Sequence, residues 1–435
     1  MHARLEARGF SAADFTARIE RLARDNADRI RLGDLDHLVF YMLQSTRFTA
    51  RPAIEPALSA RSLVERLDGA AREAFLRDPA NARPRVGADV RARARALLQA
   101  FTAPGADERL AYFARLLAEA SPQVQEHEET LLAEYLRVMR FVYEKEFGAG
   151  RANVAAAASL YRTRGLSTDT AVEAGFLVAQ GLGVLRGLDP SRRVRRVLIV
   201  GAGLDLAPRT ALLEAAPPQS YQPWAVLDAL LALGLSRLDD ITIVAADINP
   251  RVVHHLRNAR ATPPLLTLLT GIQDDGRVSL TPDYREYFAA LGRAIGRVEA
   301  PPVHHGGAGA AGAPAGHLLT RLRVSAAAAR AVQAERLDVV TQRLTGEPFD
   351  LVVATNVFPY FDDDALVLAV ANIAAMLHGR GVMLHNEARP ALHEAAAALG
   401  VPSAHSRHAV IATVKGALPL GDSIWLHERS DGTVR

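Results

Sequence analysis

The stretch that decides the fold is Val197-Leu198-Ile199-Val200-Gly201-Ala202-Gly203-Leu204-Asp205. Its four leading apolar residues predict a buried strand, and the glycines after them permit a tight turn and close approach of the backbone to a ligand. Leu206 occupies the position of the third glycine in a dinucleotide-binding fingerprint. The turn is therefore less suited to binding a pyrophosphate at the N-terminus of the following helix than to binding a ligand without phosphate. Taken alone, this turn permits either class of nucleotide ligand.

From residue 197 onward, short apolar stretches alternate with helical patterns, which is typical of a parallel sheet wrapped by crossover helices. The predicted strands are residues 197–200, 241–245, 337–340, 351–354, 382–385, 408–414 and 423–427. The segment between the last two is too short for a helical crossover, so these strands must be antiparallel neighbours. The predicted fold class is α/β: a Rossmann-like sheet, mostly parallel with an antiparallel last strand, which resembles the arrangement of class I methyltransferases.

The N-terminal part of the chain has a different pattern. Residues 1–150 are interpreted as an α-helical domain, because apolar residues recur at helical spacing. The clearest stripe is Leu131, Leu132, Tyr135, Leu136, Met139 and Val142. Residues 151–196 form a linker with cofactor-covering helices, one of them at about 171–188, and residues 197–435 form the sheet domain with a large insertion at about 260–335. The N-terminal helices are expected to contribute to an acceptor pocket or a homodimer interface.

Composition excludes several classes of function. Of 435 residues, 49% are hydrophobic and 23% charged, and 51 Lys+Arg against 48 Asp+Glu give 51 − 48 = +3. Without a Lys/Arg block, neither nucleic acid nor an anionic membrane is an expected partner. No uncharged run approaches the ~18 residues of a membrane span. The chain lacks cysteine, and residues 1–31 lack the apolar core of a signal peptide, so a cytoplasmic protein is expected; removal of a leader stays open.

Three histidines in the insertion could bind a metal ion. His304, His305 and His317 flank a Gly/Ala/Pro-rich stretch of low complexity. That context supplies few other ligands and no rigid framework. We therefore expect no metal site.

Two further positions belong to the predicted switch point of the sheet, where ligands bind in folds of this type. Asp247 ends the second predicted strand, where a carboxylate can accept hydrogen bonds from both ribose hydroxyls of a nucleoside. The alternative is that Asp247 caps the helix beginning at Pro250. The stretch 349–362 combines a strand with a polar loop, and a substrate-facing group such as Asn356 belongs at the end of that strand.

In motif order the sequence resembles the chemotaxis-receptor glutamate methyltransferases over about residues 197–387. The matching elements are Gly201/Gly203, Gln222-Pro223-Trp224, Asp247-Ile248, Tyr287-Phe288 and Asn356-Val357-Phe358-Pro359-Tyr360-Phe361-Asp362. The resemblance implies S-adenosyl-L-methionine as cofactor and methyl transfer as reaction. It also places Ala202 and Ile248 at the cofactor, Gln222 near its methionine end and Gln342 on its adenosine side.

The sequence departs from the family at two positions. Gln222 stands where the family has an acid, and Thr355, also assigned to the cofactor site, replaces the arginine before the asparagine. With no receptor-docking domain evident, protein glutamate is not carried over as substrate. The favoured hypothesis is methyl transfer to a small molecule. The alternatives are a protein methyltransferase, a non-catalytic nucleoside-binding or scaffold protein, and a nicotinamide-dependent oxidoreductase, against which Leu206 and the closing hairpin both weigh.

Methyl transfer needs a general base only when the acceptor is a hydroxyl or a protonated amine. Candidate bases are Tyr360, His385 and Glu387, with Asn356 as a polar positioning group; His385 can equally be an ordinary structural histidine. In the linker, Tyr161 and Arg164 are assigned to the cofactor, since Arg164 could pair with its carboxylate. The alternative for Arg164 is a solvated helix end.

Overall fold

The structure is a computed structural model, and it describes residues 12–148, 154–207, 217–299 and 315–430. The chain folds into two compact units. The sheet unit comprises Thr170–Leu204 and Gln219–Arg435 together with the start of the chain as far as Ala27, and the helical unit comprises Asp28–Asp169 and Asp205–Pro218. The domain boundaries expected at residues 150 and 196 stay a prediction.

The sheet unit is built on one large sheet. Its central strands are β1 (Arg196–Val200), β2 (Thr242–Asp247), β7 (Val332–Arg336), β8 (Phe349–Ala354) and β9 (Leu377–His385). Both neighbours of β1, which are β2 and β8, run parallel to it, and β7 and β9 extend the parallel arrangement on either side. The burial of these strands explains their apolar sequences, since a parallel strand covered on both faces is hydrophobic along its length.

The sheet closes with the C-terminal hairpin of β10 (Ser403–Val414) and β11 (Leu420–Glu428). In the described part of the chain the eight strands follow the order β4-β10-β11-β9-β8-β1-β2-β7. Strand β11 is antiparallel to both β9 and β10, so the hairpin predicted from its short connection is confirmed. The predicted α/β fold class, a mostly parallel Rossmann-like sheet with an antiparallel last strand and N-terminal helices, is confirmed as well.

One predicted strand is wrong. Residues 337–340 form a turn, and the strand beside β2 is β7. Strand β7 lies at the edge of the sheet, where Gln333 and Glu335 are exposed, so its pattern alternates and lacks the continuous apolar run of a central strand. The apolar residues of the turn are instead buried in the core, and the backbone carbonyls of Val339 and Val340 accept hydrogen bonds from Asn372.

The insertion between β2 and β7 forms structure of its own. Its strands β3 (Leu265–Leu269), β5 (Gly296–Glu299) and β6 (Leu319–Val324) pair antiparallel in the order β3-β6-β5, and β4 (Val278–Leu280) joins the large sheet beside β10. Residues 300–314, including His304 and His305, lie outside the described residues. His317 is described, and its Nδ1 lies 2.8 Å from the backbone oxygen of Thr270.

Helices cover both faces of the large sheet. They are α9 (Val172–Leu188), α10 (Gln222–Ala232), α11 (Pro250–Ala261), α12 (Pro282–Ala290), α13 (Ala326–Ala331), α14 (Asp363–Met376) and α15 (Pro390–Ala398), with a 3-10 turn at Phe358–Tyr360. Helix α9 confirms the helix predicted at about 171–188. It approaches the sheet closely at Gly181, where a Cβ would lie 2.7 Å from Leu384 Cδ1.

The helical unit contains helices of varied length. Their bounds, numbered in chain order, are α1 (Ala12–Gln44, which begins in the sheet unit), α2 (Pro56–Glu65), α3 (Gly69–Arg77), α4 (Pro79–Ala82), α5 (Ala88–Phe101), α6 (Glu108–Ala120), α7 (His127–Glu146) and α8 (Val154–Thr163), with a 3-10 turn at Val124–Glu126. The apolar stripe predicted between residues 131 and 142 lies on α7, and all of its members are buried. Among the described residues, no helix is long and apolar enough to cross a bilayer.

Candidate active site

The candidate active site lies at the carboxyl ends of β1 and β8, where the chain connections reverse direction across the sheet. From β1 the chain proceeds to β2 on one side, while β8 proceeds to β9 on the other. Such a switch point opens a crevice above the strand ends. The register aligns Ile199 with Val353, so the glycine turn after β1 and the polar loop after β8 emerge side by side.

The glycine turn has a backbone that other residues adopt only with strain. Gly201 and Gly203 have φ values of +75° and +73°, in the left-handed region that costs a residue with a Cβ about 1–2 kcal/mol. A Cβ on Gly201 would also lie 2.6 Å from Cγ2 of Val357. The amides of Gly201 and Ala202 donate to the carbonyl of Ala246, at 2.9 and 3.2 Å. These bonds join the turn to the end of β2.

Asp247 is buried at the end of β2, with 5% of its surface exposed. Its Oδ2 accepts a hydrogen bond from the Gly203 amide at 3.1 Å, and its Oδ1 accepts one from the Asn249 amide at 2.9 Å. The helix cap is Asn249, whose side chain accepts from the Arg251 amide. The alternative role of Asp247 as the cap of this helix is therefore wrong, and its carboxylate is held directly against the glycine turn.

Gln222 and Thr355 join two elements of the site. Gln222 begins α10, Thr355 follows β8, and Gln222 Nε2 donates to Thr355 Oγ1 at 2.8 Å. Both side chains are 3% exposed. The two positions at which the sequence departs from the resembled family are therefore in contact, a neutral amide–hydroxyl pair where that family has an acid and an arginine.

Asn356 stands at the tip of the β8 loop with a φ of +60°, unusual for a residue other than glycine. Its amide donates to Asn386 Oδ1 at 2.9 Å, and its Oδ1 accepts from Asn386 Nδ2 at 2.8 Å. Asn386 also donates to Asp422 Oδ2 at 2.9 Å. This paired arrangement holds the left-handed residue in place, and strained backbone of this kind is concentrated at functional sites.

A second loop adjoins Asp247. The Leu337 amide donates to the Asp247 carbonyl at 3.0 Å, and the following residue, Asp338, is buried. Gln342 is exposed, and its Oε1 accepts from the Asp338 amide at 3.2 Å. Ile248, the neighbour of Asp247, is half-buried. The structure thus brings Gln342, Ile248 and Asp247 to one side of the switch point.

The candidate bases differ in accessibility. His385 is 0% exposed, and burial first, then the neighbouring His427 and His393, hold its pKa well below the usual value. Glu387 is buried too, and its Oε2 lies 3.0 Å from Arg389 Nη2. Tyr360 is half-buried in the 3-10 turn after β8. Of the three, Tyr360 is therefore the one whose position suits contact with an acceptor.

Tyr161 and Arg164 lie in the helical unit. Arg164 Nε is 3.0 Å from Asp36 Oδ2, and its guanidinium stacks over Phe141 at 4.4 Å from the ring centroid. Tyr161 contacts the same Phe141 ring edge-on. The proposed contact of both residues with the cofactor stays a prediction; what the structure shows is an arginine engaged by a buried carboxylate and an aromatic ring.

Sequence reasoning missed Asn386 and Asp338. Asn386 follows β9 directly, so the rule that polar residues at strand ends form the site could have found it. Asp338 was not predicted as a site residue because the sequence pattern of residues 337–340 indicates a strand. Buried Tyr221, the neighbour of Gln222, and half-buried Tyr287 form a further polar contact, with their Oη atoms 2.7 Å apart. Burial raises the pKa of both hydroxyls, so they stay protonated.

Comparison with known proteins gives structural similarities. No protein-family model and no curated protein matches the chain. Similar solved structures include the N-methyltransferase NodS from Bradyrhizobium japonicum WM9, with 13% identity over 59% of this chain and 97% of that chain and a TM-score of 0.28. Magnesium protoporphyrin IX methyltransferase (ChlM) from Synechocystis PCC 6803 with bound SAM has 9% identity over 66% and 94%, with a TM-score of 0.30. CalS10, an amino pentose methyltransferase from Micromonospora echinaspora, has 13% identity over 64% and 97%, with a TM-score of 0.27. At these values they are similarities only, and the sheet order rests on the chain's own strand pairing.

Proposed function

We propose that this protein is an S-adenosyl-L-methionine-dependent methyltransferase that acts on a small molecule. The observation that carries the proposal is the contact between the glycine turn and the Asp247 carboxylate at the switch point of the sheet. The turn passes through two left-handed glycines, and at Gly201 a Cβ would clash with Val357 Cγ2, so the backbone itself is presented at the strand end. A carboxylate at the end of the second strand is suited to accept hydrogen bonds from ribose hydroxyls. Both features suit a nucleoside.

The residues at this site have distinct proposed tasks. Gly201, Ala202 and Gly203 would allow the nucleoside to approach the backbone, and Asp247 would accept hydrogen bonds from its ribose. Ile248 would provide an apolar surface for the base, and Gln342 a polar group on the same side. When bound, the cofactor supplies a methyl carbon already activated by the adjacent sulfonium charge. The chain therefore has mainly to align donor and acceptor and to exclude water.

The acceptor side is proposed from the loop after β8. By the family resemblance Gln222 and Thr355 would bind the amino-acid end of the cofactor, and their hydrogen bond holds the start of α10 against the strand end that precedes Asn356. Asn356 would orient the acceptor, and Tyr360, in its phenolate form, would take up the proton of a hydroxyl or ammonium acceptor and become the neutral phenol. His385 has no part in this scheme because it is completely buried, and Glu387 has none because it is paired with Arg389.

The class of acceptor has weaker support than the cofactor site, and composition is what favours a small molecule. A net charge of +3 with no Lys/Arg block offers no argument for nucleic acid. The family resemblance keeps a protein carboxylate as the alternative acceptor. Release of S-adenosylhomocysteine across a library of small acceptors, with a glutamate-rich protein as a separate arm, distinguishes the two.

A homodimer formed through the N-terminal helices is proposed as the assembly and is tested by light scattering.

Binding tests the cofactor directly. Isothermal titration with S-adenosylmethionine, S-adenosylhomocysteine and NAD should show binding of the two sulfur nucleosides and none of NAD. Asp247→Ala should raise the dissociation constant of S-adenosylhomocysteine at least roughly 10-fold, because the loss of even one hydrogen bond to a charged group costs about 1.5–3 kcal/mol. Asp239→Ala is the matched control, since Asp239 is exposed and pairs with Arg237. Binding of NAD alone would instead favour an oxidoreductase, and binding without turnover a nucleoside-binding scaffold.

A further inference from the structure

Three histidines from separate elements meet inside the sheet unit. His385 ends β9, His393 lies in α15 and His427 lies in β11. One ring nitrogen of each falls within 4.8 Å of those of the other two. We call these residues the histidine cluster. His385 and His427 are 0% exposed, and His393 is partly buried.

The backbone fixes the orientation of one ring. His427 Nδ1 lies 2.9 Å from the carbonyl oxygen of Val401, which can only accept, so Nδ1 carries the proton. In the neutral ring Nε2 then presents a lone pair, and it lies 3.1 Å from His393 Nδ1. In metal sites, a coordinating histidine commonly donates its other ring N–H to a backbone carbonyl, which fixes the orientation of the imidazole.

The other two rings have buried nitrogens without a partner. Among the described residues, neither His385 Nε2 nor His393 Nε2 has a hydrogen-bond partner. Buried polar atoms in folded proteins are nearly always satisfied, so two unsatisfied nitrogens in one cluster call for a ligand. A neutral imidazole with a free lone pair is the form that coordinates a metal.

We propose that the histidine cluster binds one divalent transition-metal ion, Zn²⁺ by its ligand chemistry, through one nitrogen of each imidazole. Imidazole ligands suit Zn²⁺ and exclude Mg²⁺ and Ca²⁺, which prefer oxygen. At Zn–N distances of about 2.0–2.1 Å, tetrahedral ligands lie about 3.4 Å apart. One ring nitrogen of each histidine already falls within 4.8 Å of the other two, so a rearrangement on the order of an ångström brings the three rings to this spacing.

His385 has to change its hydrogen bonding when the metal binds. Its Nδ1 accepts from the Glu387 amide at 3.1 Å, so the proton of the neutral ring is on Nε2. Coordination through Nε2 moves that proton to Nδ1 and gives up the amide contact. Three protein ligands leave a fourth position for water. The Glu387 carboxylate does not supply this ligand, because its oxygens accept from the amide and guanidinium of Arg389.

Metal content of the full chain tests the proposal independently of methyl transfer. Protein prepared without a histidine tag is treated with EDTA, then loaded with Zn²⁺ and analysed by plasma mass spectrometry, and separately titrated with Co²⁺. We expect about one equivalent of metal and Co²⁺ absorption bands typical of a tetrahedral site. His393→Ala, on a partly exposed helix face, should weaken Zn²⁺ binding at least tenfold while leaving S-adenosylhomocysteine binding unchanged. His427→Gln is the second variant.

Two controls separate the cluster from other histidines. His405→Ala removes an exposed histidine of β10, and His304→Ala/His305→Ala removes the pair in the insertion. Both should bind Zn²⁺ as the parent protein does. The proposal is overturned if the parent protein takes up no stoichiometric metal, or if His393→Ala and His427→Gln, shown to be folded by circular dichroism, retain its full affinity. It is also overturned if only the His304/His305 variant loses the ion.

Discussion

Replacing Gly201 by alanine should destabilise the protein substantially. The structure gives the cost in two parts. Alanine at a φ of +75° costs about 1–2 kcal/mol, and a Cβ placed 2.6 Å from Val357 Cγ2 forces the loop to shift, at about 1–3 kcal/mol. The free energy of unfolding should therefore fall by about 2–5 kcal/mol. Urea denaturation followed by circular dichroism measures it, with the midpoint and slope compared between variants.

The variant Gly234→Ala separates the backbone cost from the steric cost. Gly234 has a φ of +65°, yet a Cβ there would meet no atom within 4 Å, so only the backbone cost of about 1–2 kcal/mol applies. Adding Val357→Ala to Gly201→Ala should recover much of the steric part, giving a double-mutant coupling of about 1–3 kcal/mol. If Gly201→Ala destabilises the protein no more than Gly234→Ala, and the coupling is zero, the close contact between the turn and the loop is refuted.

Other predictions concern an arginine and a histidine. Arg389→Ala should destabilise the protein by about 2–4 kcal/mol, because the guanidinium donates to the carbonyls of Phe358 and Phe361 at 2.6 and 2.8 Å and pairs with buried Glu387; a loss below 0.5 kcal/mol in urea denaturation would contradict this. His255 has its pKa lowered to about 4, mainly by burial and further by neighbouring positive charge. The unfolded chain therefore binds more protons, and stability that is fully present above pH 6.5 is lost as the pH falls towards 4. His255→Gln should flatten that decline by about 1–3 kcal/mol, and parallel pH profiles of the two proteins would count against the effect.

How much of the fold could be predicted depended on where each strand lies in the sheet. Central strands such as β1 and β8 are buried on both faces, so their apolar runs are distinctive. The hairpin of β10 and β11 followed from the length of its connection. Strand β7 was misplaced because an edge strand with exposed Gln333 and Glu335 has a weaker signal than the apolar turn that follows it. The alternating hydrophobic pattern of an edge strand is therefore a weaker sequence signal than the apolar residues of a neighbouring buried loop.

The candidate site shows the same limit at the level of side chains. Gly201 and Asp247 were predictable, because each directly follows or ends an apolar run that the sequence marks as a buried strand. The pairing of Asn356 with Asn386, and of Gln222 with Thr355, depends on which strands are neighbours, and sequence spacing does not encode that. The histidine cluster was not predicted for this reason, since its members come from β9, α15 and β11 and are brought together only by the fold.

A crystal structure with S-adenosylhomocysteine bound tests the central claim most directly. We expect density for the ligand in the crevice between the Gly201–Gly203 turn and the Thr355–Asn356 loop, with the ribose hydroxyls within hydrogen-bond distance of the Asp247 carboxylate. The side chains around the vacant methyl position would then identify the acceptor side of the site. Density for the ligand elsewhere, or a crevice that stays empty at saturating ligand while Asp247 keeps its amide contacts unchanged, would contradict the assignment.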